Sequence, residues 1–438
     1  MKKFVKQMTI GVLCLFGMTF VACRGGDTYP SPTIEDAAYS PIIEETDYAP
    51  IVEETNYTPI IEDIEYSPFV EDIDFLIYTL ENNLPLFNAG ERALGVNMRE
   101  LIANVREAAV NGEISSGNAF QTALTDSFGH FNNGYANFGL LETLSGINVR
   151  FHVAHRQRNL WTQVLDNPGT RSFYRLEGIL FDTTPAEAIQ GRVIMTESIK
   201  EGRIALITPP EVFNNLHIDA HTEEILDFAH SIVGYEHLII DIRHLAGWEM
   251  EWFPLVIMQN LISQPLSYNH NFFSMGGEYT RQFYSLLPRG EAGFSPVTDE
   301  LLAQFPYLHP DDIGLLRYHY NMEDTIHPSD RAVGFDGKIW LLVSPVNIYA
   351  ASYVANLVQE TGFATLVGEP TGGGGITSIF SVPLVLPNTG MVVRFMPLYG
   401  VDHLGRNTWE HPTQPDILNH EGMDAMQTVL ELIEEGSY

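Results

Sequence analysis

Residues 341–375 read LLVSPVNIYAASYVANLVQETGFATLVGEPTGGGG, an apolar run, a short loop, a helix-spaced segment, a second apolar run and a set of glycines. No other stretch constrains the fold as much. Apolar runs without polar alternation belong to strands covered on both faces, and a helix placed between two of them favours a parallel pair. The same order occurs upstream: GRIALITPP from Gly202, a helical segment from Thr222 with Ile225, Phe228, Ala229 and Ile232 on one face, then HLIIDIR from His237. The reading is an α/β core with a largely parallel sheet. A strand that stops abruptly and opens a helix presents whatever side chain stands at the junction, here Tyr349 followed by Ala350.

The glycine run resembles a phosphate loop only superficially. GEPTGGGG has no Gly-Lys-Ser/Thr ending and leads into the strand-like ITSIFSVPLVLP, whereas a phosphate loop needs a following helix whose N-terminus faces the anion. Nucleotide binding is therefore not expected. The 438-residue chain has a formal net charge of -33, which argues against a nucleic-acid surface because phosphates need Lys and Arg. No cofactor or metal is expected. His152 with His155, and His217 with His221, have pair spacings but lack the associated Glu of a zincin arrangement.

The first residues resemble a lipoprotein signal. A basic MKKFVKQ precedes an apolar stretch too short for a confident span, and VAC ends at Cys23, the expected lipidation site after a signal over 1–22. The expected location is the cell envelope, lipid-anchored, on a periplasmic or extracellular face. Cys14 lies inside the signal, so the remaining chain has no cysteine nucleophile or disulfide. A nine-residue repeat follows: YSPIIEET, YAPIVEET, YTPIIEDI and YSPFVEDI, with no Lys or Arg between Arg24 and Arg92. Each unit carries a proline and paired carboxylates, so 23–74 reads as an extended acidic stalk, with an array for a cationic partner or a divalent ion as the alternative. Helical spacing then marks 75–142 as a small helical domain, and 143–438 as the α/β domain, with 265–336 as an aperiodic insertion or lid.

In this order, GRIALITPPEVF, LIIDIRHLAGW, FATLVGEPTGGGG and the PDI at Pro415–Ile417 resemble landmarks of the tail-specific (C-terminal processing) protease family and its tricorn-like relatives. The resemblance spans about Phe75 to Ile417 and implies a ββα-spiral core of the crotonase and Clp type. It implies serine-type cleavage of peptides or of protein C-termini, with peptides or unfolded proteins as partners. No PDZ module is recognisable between the helical domain and the core. The family's serine position falls on Tyr349, and the lysine of one branch falls near Gly374. A phenol titrates near pH 10 in water and has a bulky ring, and its ester would be an unusual intermediate in amide hydrolysis.

The other branch of the family uses histidine and an acid. On that pattern, DSFGHF offers His130 as general base, with Phe128 where an acid usually precedes it, and Glu410 in NTWEHPTQPDI is the orienting carboxylate. Ser352, three residues after Tyr349, is the remaining nucleophile. Gly247 and Trp248 of the HLAGW turn, with Ala350, are the oxyanion and substrate-binding positions. Three readings stay open: a serine peptidase with a displaced nucleophile, a pseudoprotease that binds extended peptides or a partner protein without cutting, or a purely structural envelope lipoprotein with no cleft.

Overall fold

A computed structural model describes residues 67–131, 141–144, 164, 166–176, 194–210, 217–245, 249–287, 289–376 and 381–437. The signal, Cys23, the first three repeats, His152, His155, Gly247 and Trp248 lie outside the described residues.

Four helices open the fold: α1 (Pro68–Asn83), α2 (Phe87–Leu94), α3 (Met98–Val110) and α4 (Gly117–Phe131). The last repeat runs into α1 rather than staying extended. Pro68 sits at the first helical position, where its missing N–H is no loss and its fixed φ suits the helix. Asn97 caps α3 by accepting from the Glu100 N–H.

A six-stranded sheet forms the core, in the order β13 (Ile417–Leu418), β9 (Thr365–Gly368), β8 (Lys338–Val343), β4 (His237–Asp241), β3 (Ile204–Thr208) and β2 (Met195–Lys200). All neighbours are parallel except the antiparallel β2–β3 edge. Successive side chains of a strand point to opposite faces. Leu238, Ile240, Leu341 and Val343 accordingly pack on one side with Ile225 and Ala229 of α5 (Ile218–Ser231) and Val354 and Leu357 of α7 (Ala350–Thr361). Ile239, Trp340 and Leu342 pack on the other side with Val429 and Leu432 of α8 (Ala425–Glu435). This is the mixed α/β core with a helical N-terminal region that the sequence predicts.

The N-terminal helices share an apolar cluster with the antiparallel sheet β1 (Leu141–Thr143), β11 (Val392–Phe395), β10 (Val382–Val385). On β1 and β11 the cross-strand partners Glu142 and Arg394 form a buried ion pair. Residues 265–336, aperiodic in sequence, supply two nine-residue strands, β5 (Leu266–Ser274) and β7 (Tyr318–Ile326). With β6 (Phe294–Pro296) and β12 (Tyr399–Val401) they make a four-stranded sheet, β12-β5-β7-β6. A short helix, α6 (Pro310–Ile313), lies between β6 and β7. Among the described residues no helix is long and apolar enough to cross a membrane.

Candidate active site

The loop from β8 to α7 ends at Tyr349, which holds φ 51° and ψ -115° as the N-cap of α7. Positive φ in a bulky residue is strained, and such strain persists only where the surroundings enforce it. Here they do. The Tyr349 N–H donates to the Gly373 carbonyl at 3.2 Å, and its own carbonyl accepts from the Tyr353 N–H at 2.7 Å. The ring is buried, 3% exposed, and stands edge-to-face with Trp409 at 5.9 Å between centroids.

Asn347 braces the loop from the other side. Fully buried, it donates through Nδ2 to the carbonyls of Ile242 (2.6 Å) and Leu245 (3.0 Å), and its Oδ1 accepts from the Ser344 N–H at 2.7 Å. The Ser344 hydroxyl donates to the Arg243 carbonyl at 2.6 Å. The turns at the carboxyl ends of β4 and β8 are thereby locked together, the place where open α/β sheets gather their ligands.

The glycine run serves this junction by proximity. A Cβ on Gly375 would lie 2.5 Å from the Tyr353 nitrogen, and one on Gly373, at φ +88°, would lie 2.6 Å from the Thr408 carbonyl oxygen. Backbone approaches this close exclude side chains.

Of the site positions read from the sequence, Tyr349, Ala350, Ser352, His130 and Glu410 fall among the described residues. Ser352 is fully buried, and its hydroxyl is 3.1 Å from that of Thr371, so each hydroxyl has the other as partner and neither is a proton acceptor of histidine or lysine type. His130 is exposed on the last turn of α4 and makes no hydrogen bond to Ser352 or Glu410. Glu410 is held by Arg92 of α2 through two bonds, Nε to Oε1 at 2.7 Å and Nη2 to Oε2 at 2.8 Å. Arg92 also bridges to Asp312 of α6, a fully buried carboxylate that accepts from the Tyr399 hydroxyl at 3.1 Å. The hydrogen bonds it donates to Glu410, then those to Asp312, raise the guanidinium's pKa above its ordinary value. Ala350 is buried at the first position of α7, where N–H groups lack intrahelical acceptors and favour negative charge. Gly374, at the family's lysine position, flanks the Tyr349 ring.

The structure thus brings together Tyr349, Trp409, Ala350 and the glycine run. It gives Ser352, His130 and Glu410 three separate settings. Sequence reasoning missed Asn347, Thr371, Trp409 and Arg92. Asn347 and Trp409 carried a signal, since both lie inside the stretches that mark the junction; Arg92 carried none beyond being the first cation after the acidic repeat. His221 accepts from the Trp252 indole N–H at 3.0 Å and serves packing. Among the described residues no three His, Cys, Asp or Glu side chains are grouped to hold a metal ion.

Residues 203–418 match peptidase family S41, so the chain carries a domain of the tail-specific-protease-like family, with a peptidase-like function class. Among solved structures, a candidate peptidase from Parabacteroides merdae is similar at TM-score 0.51 and 13% identity, with 84% of this chain and 97% of that chain covered. Mature CPAF is similar at TM-score 0.47 and 13% identity, covering 84% and 95%. The photosystem II D1 C-terminal processing protease is similar at TM-score 0.40 and 10% identity, covering 84% and 97%. At these identities the likeness is one of fold. No curated protein sequence matches the chain.

Proposed function

We propose that this chain uses a peptidase fold to hold extended peptides or a partner segment without cutting them, at the cell envelope and tethered through Cys23. The observation that carries the reading is Tyr349. A buried phenol occupies the strained strand-to-helix junction where the family resemblance calls for a serine, and the nearest serine on the helix, Ser352, is engaged with Thr371 in the core. Acyl transfer needs a nucleophile within hydrogen-bond reach of a base. His130 and Glu410 offer none to Ser352 in this arrangement.

What supports binding is the part of the junction that survives. The N-terminus of α7, whose first N–H groups lack acceptors within the helix, supplies the polarity that a peptide carbonyl or carboxylate would meet. Lipid attachment is supported by the sequence of the first residues alone.

The test is a cleavage and binding assay on the chain from Pro68 onward. Unfolded proteins and short peptides are incubated with the native protein and with Tyr349→Ala, Ser352→Ala and His130→Ala, and products are read by mass spectrometry. The reading predicts no cleavage and peptide binding altered by Tyr349→Ala. Cleavage abolished by Ser352→Ala and His130→Ala would replace it with a serine peptidase whose nucleophile is displaced.

A further inference from the structure

His270 on β5 is fully buried, and both of its ring nitrogens lack a hydrogen-bond partner among the described residues. Burying a polar atom without a partner is costly, so such an atom points to whatever completes it. What faces His270 is a set of oxygens that offer electron pairs. Its Nε2 stands 3.7 Å from Glu360 Oε2 on α7, too far for a hydrogen bond. The Glu360 carboxylate is aimed by its other oxygen, which accepts from the Asn269 N–H at 2.9 Å. Four residues before Glu360, Asn356 Oδ1 is likewise buried without a partner among the described residues.

Residues three and four apart share a helix face, so Tyr353, Asn356 and Glu360 form one row of α7. Both ends of that row meet His270: Glu360 as above, and Tyr353 edge-to-face at 5.2 Å between ring centroids. The Tyr268 ring lies against the imidazole at 5.1 Å. The spacing of the donors says what is missing. A charge-assisted hydrogen bond between imidazole and carboxylate closes to about 2.7–2.9 Å. Adjacent ligands bonded at about 2.0–2.1 Å stand about 3.4 Å apart around a tetrahedral ion, and about 3.0 Å apart around an octahedral one. The observed 3.7 Å is nearest the tetrahedral figure. One imidazole nitrogen and two oxygens are a set that zinc accepts. His, Cys, Asp and Glu alone form no group of three among the described residues, and here the third donor is an asparagine. The Glu360 side chain is 18% exposed, which gives an ion its route in and water the fourth position.

We propose that His270 Nε2, Glu360 Oε2 and Asn356 Oδ1 hold a divalent cation of the zinc class that clips α7 to β5. The ion ties the helix that opens at Tyr349 to the sheet built from residues 265–336. It stands independently of the peptide-binding reading above.

The full chain is stripped with a chelator and titrated with Zn²⁺ by calorimetry, beside Glu360→Gln, His270→Gln, Asn356→Ala and Asn356→Asp. The expected result is one saturable site per chain, distinct from any weak uptake by the acidic repeats. That site should weaken at least about tenfold in Glu360→Gln and His270→Gln, weaken in Asn356→Ala, and tighten in Asn356→Asp, which places a charged oxygen at the same point. Zn²⁺ should raise the melting temperature of the native chain and leave that of Glu360→Gln unchanged. Co²⁺ in place of Zn²⁺ should give the intense visible absorption of a tetrahedral site. Uptake equal in the native chain and Glu360→Gln would be binding by the acidic repeats alone and would overturn the proposal. Asn356 variants that bind as the native chain does would overturn it too, as would the absence of a saturable site. Should His270→Gln fail to fold, Glu360→Gln, at a partly exposed position, decides the matter.

Discussion

Replacing Tyr349 by glycine and, separately, by alanine separates two opposed effects at the junction. Both substitutions delete a buried aromatic ring packed on Trp409, a loss of about 3–5 kcal/mol for a large core side chain. They differ in the backbone. Alanine inherits the φ of 51° and ψ of -115°, a conformation that costs a residue with a Cβ about 1–3 kcal/mol. Glycine adopts it freely but loses about 0.5–1 kcal/mol more entropy on folding. The difference leaves Tyr349→Gly more stable than Tyr349→Ala by about 1 kcal/mol, a factor of roughly 5 in the folding equilibrium. Urea unfolding followed by circular dichroism measures it, with the denaturant slopes compared to confirm that both variants unfold from the same state. Equal midpoints, or an alanine variant more stable than the glycine one, would refute the claim that the junction stores strain.

Three further outcomes are expected. Burial holds His270 on β5 and His319 on β7 at about 4, well below the usual 6.5. The unfolded chain thus binds more protons between those values, and stability present above pH 6.5 is lost as pH falls toward 4, by up to about 3 kcal/mol per histidine; melting temperatures between pH 7.5 and 4.5 should fall, and His270→Phe should flatten that slope. Removing one member of the buried Glu142–Arg394 pair, as in Glu142→Gln, should cost about 3–5 kcal/mol, whereas the double change Glu142→Leu with Arg394→Met should cost much less, a contrast that thermal unfolding resolves. Asn347→Ala should lower stability by about 1–3 kcal/mol, because it strips the Ile242 and Leu245 carbonyls of their donor, and should speed amide exchange in residues 242–245.

The parallel core was legible because its strands announce themselves. HLIID and KIWLLV are apolar on both faces, and α7 between β8 and β9 has one apolar side, so element type and order followed from periodicity. Residues 265–336 defeated the same method. LSYNHNFFS and YHYNMEDTI mix asparagine, histidine and tyrosine into strands, and their polar side chains pair locally, as His319 does with Asn271 at 2.9 Å. Hydrophobic alternation has nothing to report there. At the site, sequence located the junction but not its contents. The positive φ of Tyr349 is imposed by contacts with Gly373 and Trp409, distant in sequence, and nothing in the residue type foretells it. Ser352 looked available because its partner, Thr371, is 19 residues away. Glu410 looked like an orienting acid because its cation lies 318 residues upstream in α2.

The pairing of β1 with β11 sets a timetable for synthesis. The helices built from residues 68–131 bury their apolar faces against β10 and β11, which arrive only with residues 382–395. At a ribosomal rate of about 5–20 residues per second, the first helices wait on the order of ten seconds or more for the surface that completes them. During that interval the apolar cluster that these helices share with β10 and β11 lacks its strands. A chain stalled before residue 382 is therefore expected to carry these helices without the strands that share their apolar cluster, which faster amide exchange in residues 68–131 of a truncated chain would show.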